Sequence, residues 1–282
     1  MPTYKPFDWY RTPLYYDMIF DEGTREETNF IEAVTELYCT TKRSSQNKSQ
    51  LKILEPACGS ARLIASLAKR GHNCTGFDLE PGMIDFSEKR LKKLRKRAHL
   101  SVADMTDFSY KTKFDLAHCL VSTFKYLLTE DAARTHLQLV ANHLKPGGLY
   151  ILGLHLTPTN QTTRLRERWT AQNKNIHVTC NIQSWPPNYH KRTEAVRSRL
   201  IVTPLENHNR SNNHLNAPKP NAQTEFYESS WTFRTYNLKQ LQSLITSVPD
   251  FTHLATYSFH HDITDPITLG EELDNVLILQ KN

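Results

Sequence analysis

The 282-residue sequence predicts an α/β fold, a doubly wound and mostly parallel sheet, and three observations carry that reading. Residues 51–63, LKILEPACGSARL, read as a strand, a tight turn and the start of a helix. An acid, Asp78, closes the next apolar strand, about 20 residues past the turn, where such sheets hold a ribose. Strand-like and helix-like segments then alternate to residue 156, after which period-two segments take over.

An arm, residues 1–50, precedes the first strand. Its first part is aromatic, with Tyr4, Phe7, Trp9, Tyr10, Tyr15, Tyr16 and Phe20. Its second part is predicted helical: Thr24 and Glu27 have capping-box spacing, and Phe30, Ile31, Val34, Leu37 and Tyr38 make an apolar stripe. The polar stretch 40–50 reads as a loop.

In the turn, Gly59 offers no Cβ to obstruct a ligand. Leu63, Ile64, Leu67 and Ala68 then recur at helical spacing, so the unpaired N–H groups of that helix start face the ligand's anionic end. A dinucleotide fingerprint wants three glycines, and here Ala57, Gly59 and Arg62 occupy those places. That argues against a pyrophosphate and for a nucleoside whose tail is a small carboxylate. The strand at 74–77 ends at Asp78, whose carboxylate accepts both ribose hydroxyl protons. Further strands are predicted at 99–102, ending in Ala103-Asp104-Met105, at 114–120, running into VSTFKYL, and at 149–156, behind an LKPGG turn.

Beyond residue 156, Val178, Cys180 and Ile182, then Val196, Ser198, Leu200 and Val202, then Trp231 and Phe233 alternate with polar residues. A three-stranded antiparallel sheet inserted within 157–236 is expected to roof the active-site end. Between its strands, 206–223 is expected to be a mobile loop whose His208 and His214 lack acidic or cysteine neighbours, so no metal site is expected.

Taken in order, the glycine turn, the ribose acid, the acid at 104 and the LKPGG turn resemble the class I S-adenosylmethionine (SAM) dependent methyltransferases over about 51–155. The small-molecule type, similar to sugar N-methyltransferases and glycine N-methyltransferase-like enzymes, is the nearest in plan. The resemblance implies a Rossmann-like seven-stranded sheet, closed by a last helix at 237–246 and a hairpin of 253–259 with 275–280. It implies that Glu55 anchors the turn or the methionine amine, and that Ala57, Cys58 and Gly59 bring backbone against the methionine moiety. Asp78 would hold the ribose, Asp104 the adenine amino group, and Leu79, Met83 and Met105 the ring; Cys119 and Leu120 would offer backbone to the methionine part. The departure from the family is alanine at 57 and 61, where glycine is frequent. An arm of this kind commonly covers bound SAM, so Tyr15 and Tyr16 are candidates for closing the methyl's pocket.

Methyl transfer from a sulfonium needs alignment and exclusion of water more than acid–base chemistry. A proton acceptor assists an amine or hydroxyl acceptor, and His155, at the carboxyl end of the fifth strand, stands where open α/β sheets place ligands. The catalytic candidates are therefore His155, Tyr16 and Tyr126. Tyr15, Phe124, Trp185 and Arg234 are the candidates for substrate binding.

Net charge is +6, and the densest basic run, KRLKKLRKR at 89–97, lies opposite Met83, Ile84, Phe86, Leu91 and Leu94 on a helix, which reads as a solvated face. With no Asn/Asp-Pro-Pro-aromatic set after the fourth strand, a small acceptor is favoured over a flipped base. An RNA or protein methyltransferase using the basic surface is the second reading, followed by a nicotinamide-dependent oxidoreductase and a non-catalytic SAM-binding regulator. The five cysteines lack CxxC spacing, no segment approaches the length of a membrane span, and the N-terminus has no signal-like pattern. A cytoplasmic protein, monomer or homodimer, is expected.

Overall fold

A computed structural model describes residues 2–41, 50–205 and 223–282. The expected loop at 206–223, all but its last residue and including His208 and His214, and most of the polar stretch 40–50 lie outside the described residues. The arm contains β1 (Lys5–Pro6), α1 (Pro13–Phe20) and α2 (Thr24–Tyr38). The core continues as β2 (Lys52–Pro56), α3 (Arg62–Lys69), β3 (Asn73–Asp78), α4 (Pro81–Lys93), β4 (His99–Val102), β5 (Phe114–Cys119), α5 (Glu130–His143) and β6 (Leu144–His155). Four long strands follow, β7 (Leu165–Gln172), β8 (Ile176–Ser184), β9 (Thr193–Pro204) and β10 (Glu225–Arg234). The chain closes with α6 (Leu238–Thr246), β11 (Phe251–Tyr257), β12 (Pro266–Ile267) and β13 (Asp274–Lys281).

The main sheet has the order β12-β11-β13-β6-β5-β2-β3-β4. Strands β2 to β6 run parallel, and β13 returns antiparallel beside β6. Seven of the strands match the expected sheet; the eighth is the two-residue edge β12. All of β5 (FDLAHC) is buried, because helices cover both faces of a parallel sheet. Leu137 and Val140 of α5 and Leu244 of α6 pack on one face with Leu54, Phe77 and Tyr150. Leu63, Ile64 and Leu67 of α3 pack on the other with Ile53 and Ile151.

The second half of the arm is part of this core. Phe30, Ile31 and Val34 of α2 are buried in the same cluster as α3, so α2 is a structural helix and only the first half of the arm can act as a cover. Its start is also not a capping box. Gly23, at φ 80°, is the N-cap, Thr24 Oγ1 donates to Asp21 O at 2.7 Å, and Glu27 is taken by Arg62 at 2.8 Å in a buried ion pair. A capping box does open α6, between Asn237 and Gln240.

The inserted sheet has four strands rather than three, and β1 adds a fifth parallel to β10, in the order β1-β10-β9-β8-β7. The unforeseen strand is β7, LRERWTAQ, an exposed edge with charge and little alternation. On the inner face, Val178, Cys180, Val196, Leu200 and Val202 pack against Trp9, with Tyr16 and Phe20 of α1 beside them.

Candidate active site

Backbone geometry shapes the bend where the sequence places the nucleoside. After β2 the chain enters the left-handed region at Ala57, Gly59 and Ala61, all at φ 52°, and so reverses into α3 within a few residues. Left-handed alanine costs roughly 1–2 kcal/mol, which glycine would not pay. The bend is held by Cys58 N donating to Phe77 O (2.8 Å), Gly59 N donating to Asp78 Oδ2 (2.8 Å), and Ser87 Oγ donating to Gly59 O (2.9 Å). Asp78 Oδ1 accepts from Glu80 N at 3.0 Å. Burial pushes the Asp78 carboxyl up, against the lowering pull of these amide donors.

The carboxylate at 78 thus belongs to the bend that it serves. Asp104 is similarly tied, one oxygen accepting from Thr106 N and Oγ1, both at 2.7 Å. Leu79 is largely exposed, Met105 half-buried and Met83 fully buried.

Between the turns that follow β2 and β5 lies a cavity of about 30 Å³, lined by Glu55, Ala57, Cys58, Ser60, Cys119 and Leu120, with Tyr16 over it. The Tyr16 ring closes on the bend: a Cβ at Gly59 would sit 3.2 Å from Tyr16 Cε1. Burial pushes Glu55 up to about 8, against the lowering pull of Arg62, and its Oε2 has no hydrogen-bond partner among the described residues. His118 Nδ1 lies 3.8 Å from Glu55 Oε1, and burial pushes that imidazole down to about 3. A neutral acid therefore sits beside a neutral imidazole at neutral pH.

The larger space is a chamber of about 410 Å³ between the carboxyl end of the main sheet and the roof. Its walls are aromatic, from Trp9, Tyr10, Tyr16, Phe20, Tyr126, Trp169, Trp231 and Phe233. Tyr16, Val121 and Thr123 line both this chamber and the small cavity. Val121 and Ser122 turn at φ 59° and 63°, a strained conformation for a β-branched residue. Gly153 on β6 makes room for it, since a Cβ there would meet Leu120 Cα at 3.2 Å.

Three hydrogen-bonded pairs stand out among the polar residues lining the chamber. His155 Nδ1 bonds Asp274 Oδ1 at 2.7 Å, its backbone N donates to Ser122 Oγ at 2.9 Å, and the pairing of β6 with β13 sets Asp274 opposite it. With Nδ1–H donated to the carboxylate, Nε2 is left as an acceptor. Lys125 Nζ pairs with Glu194 Oε1 at 2.7 Å, both side chains buried, with the ammonium 5.3 Å from the Phe233 ring centroid. The hydroxyls of Tyr10 and Tyr126 are hydrogen-bonded, and burial pushes both phenols up.

Three expected catalytic residues, His155, Tyr16 and Tyr126, line the chamber. Four expected substrate contacts lie elsewhere. Phe124 is fully buried in the core against His136 and Tyr236, because the bend after β5 points it inward. Tyr15 stacks with Phe7 and Tyr227 at 6.3 Å, its neighbour Tyr16 taking the inward position. Arg234 donates to Leu128 O at 2.8 Å and Glu130 Oε2 at 2.6 Å, which makes it a clamp on the start of α5. Trp185 continues the outer face of β8 and lies under the guanidiniums of Arg164 and Arg197. The sequence reading missed Asp274, Glu194 and Tyr10, which reach the site from distant segments with no local motif around them.

The basic run belongs to α4 and the turn after it; Ile84 and Leu91 are buried while Lys89, Lys92 and Lys93 are exposed, as a solvated face requires.

A parallel sheet with a glycine bend and an acid at adjoining strand ends is a Rossmann-like nucleoside-binding architecture. Residues 53–148 match the family model of a methyltransferase domain. The chain is similar to the dTDP-3-amino-3,4,6-trideoxy-alpha-D-glucopyranose N,N-dimethyltransferase of Streptomyces venezuelae, 28% identical over 38% of this chain and 44% of that protein. It is 25% identical to the dTDP-4-amino-2,3,4,6-tetradeoxy-D-glucose N,N-dimethyltransferase of Saccharopolyspora spinosa, over 49% of this chain and 51% of that one. The matches therefore span about half the length of these relatives.

Among solved structures, a SAM-dependent methyltransferase from Clostridium acetobutylicum superposes with a TM-score of 0.70 at 14% identity, covering 95% of this chain and 96% of that one. A sugar N-methyltransferase from Streptoalloteichus sp. gives 0.68 at 14%, covering 100% and 96%. At such identity the likeness shows the fold, which is that of the class I SAM-dependent methyltransferases, with sugar N-methyltransferases among its neighbours.

Proposed function

We infer that the protein transfers a methyl group from SAM to a nitrogen of a small-molecule acceptor held in the aromatic chamber. The observation that carries this reading is the junction at Tyr16, Val121 and Thr123, which line both the cavity at the glycine bend and the chamber. The residues at the bend fit the cosubstrate: a backbone free of Cβ at Gly59, the carboxylate of Asp78, and an unpaired oxygen on Glu55. Once bound there, SAM supplies a methyl carbon on a positively charged sulfur.

Asp78 accepts from the ribose hydroxyls, the free oxygen of Asp104 from the adenine amino group, and Glu55 takes the amine of the methionine end. Leu79 and Met105 cover the ring, while the backbone of Cys119 and Leu120 flanks the methionine part. Tyr16 and Tyr126 wall the transfer position and exclude water. The acceptor's lone pair forms the new N–C bond as the C–S bond breaks, so the positive charge passes from sulfur to nitrogen. His155 Nε2, its ring oriented by Asp274, takes the proton that the nitrogen then sheds.

A nitrogen acceptor suits the chamber's charge. The lining includes Glu167, Glu194 and Asp274 against Lys125 and His155, and aromatic faces also favour an amine's cationic product. The relatives named as amino-sugar N,N-dimethyltransferases point the same way. All five cysteines are free, which suits a reducing cytoplasm, and among the described residues no helix is long and apolar enough to cross a membrane. The reading is tested by incubating the protein with methyl-labelled SAM and a panel of amino sugars, with their hydroxyl analogues as controls. Label on the amines supports it, and label on the hydroxyl analogues alone would overturn the choice of nitrogen.

A further inference from the structure

The outer face of the roof carries a second feature that methyl transfer does not use. Because side chains alternate along a strand, the aromatic inner face has an opposite face of its own. Cross-strand pairing sets Arg166, Gln183 and Arg197 in one row there, and Arg168, Asn181, Arg199 and Glu228 in the next. The arginines of these rows, with Asn181, Gln183, Arg164 and Tyr4, line a trough of about 560 Å³ in which five arginines converge and Glu167 is the one acid.

Two of the guanidiniums are held in place. Arg197 lies 5.0 Å from the Trp185 ring centroid and donates to Gln183 Oε1 at 2.7 Å, and its Nε faces Glu228 Oε2 at 3.7 Å, an ion pair too long for a hydrogen bond. Arg199 lies 4.5 Å from the Tyr4 ring centroid and bonds Glu228 Oε2 at 2.6 Å. Arg164 stacks on Trp185, while Arg166 and Arg168 are exposed and form no ion pair among the described residues. Like charges gathered this closely repel, so a planar array of donors with few acids is a standing demand for an anion.

The geometry points to this trough as a binding site for a soluble di- or triphosphate, separate from the methyl-acceptor chamber. Its bounds favour a small ligand over a polymer: Tyr4 lies at one side and Arg164 at the other, and no basic residue of α4 lines it. Glu167 and Ile182 form a wall shared with the chamber, while residues 166 and 168 point away from the face on which Leu165 and Trp169 line that space.

Titration calorimetry on the full chain tests this, with inorganic pyrophosphate as the probe and adenosine diphosphate in a second arm. Saturable binding with a dissociation constant below about 1 mM is expected at low salt, weakened at least roughly tenfold in Arg166→Glu/Arg168→Glu. Both residues are exposed, so the variant should fold, and unchanged SAM binding serves as the check. No saturable heat, or equal affinity in the variant, would overturn the proposal. So would loss of pyrophosphate binding in the paired chamber variant Lys125→Met/Glu194→Gln with SAM binding retained, or an affinity for single-stranded oligonucleotides that grows with length and exceeds that for pyrophosphate.

Discussion

The two ends of the catalytic cleft are built in different ways. At the nucleoside end, Glu55 to Arg62 and Asp78 come from two adjoining strands and the bend between them, tied by hydrogen bonds over short sequence distances. The acceptor end is drawn from the arm, the turn after β5, β6, β13 and the roof, and its central contact joins His155 to a residue 119 positions away. A local bend can hold one cosubstrate whatever surrounds it. A chamber made of distant segments changes with every shift of strand register, and so is free to change its acceptor.

Altering each end in turn tests this contrast. The largest effect is expected where the acceptor end depends on one buried pair: Lys125→Met strands Glu194 and should destabilise the fold by about 3–5 kcal/mol, with much of it restored in Lys125→Met/Glu194→Gln. Denaturant unfolding of both variants measures this, and equal loss in each would show that the pair is not the support. Asp78→Ala removes charge-assisted bonds worth about 1.5–3 kcal/mol each, so SAM affinity measured by calorimetry should fall roughly 1,000-fold. His155→Gln should lower turnover on the order of 100-fold and leave SAM affinity unchanged. An effect on affinity instead would move the histidine to the nucleoside end.

The next effect is one of pH. Burial holds Glu55 near about 8, above its ordinary 4.5 in an unfolded chain. Stability from this group is therefore complete below the lower value and is lost as pH rises toward the upper one. The melting temperature of Glu55→Gln should gain on that of the natural protein between about pH 5 and about pH 8. A constant gap between the two would assign the pH response elsewhere. The smallest effect is expected from Ala57→Gly, which should stabilise by about 1 kcal/mol by relieving a left-handed alanine. A loss of stability would mean that the methyl group packs usefully.

Sequence legibility follows the same divide. The strands at 99–102 and the bend around Gly59 could be read because the residues that form them are neighbours in the chain. The helix α6 is expected from the family resemblance alone, although its capping box, Asn237 with Gln240, is also local. The edge strand β7 could not be read, since exposed charge on both faces leaves no period to detect. Thr24 and Glu27 have the spacing of a cap, but the buried Arg62 competes for the glutamate and wins. Asp274 and Glu194 gave no signal, because nothing in a single strand says which residue its partner will set opposite. Phe124 misled for a related reason: residues 123–126 form one 3-10 turn, which carries Phe124 round to the core while Thr123, Lys125 and Tyr126 hold the chamber side.

Tyr16 lies over Gly59, its Cε1 3.2 Å from where a Cβ there would stand, and narrows the space at the bend. If the proposed sites hold, the aromatic arm that walls the acceptor would also be the door through which the sulfonium passes. Loading and unloading would then be yoked to one hinge, and the order in which the two substrates arrive would become a property of the polypeptide as well as of their concentrations.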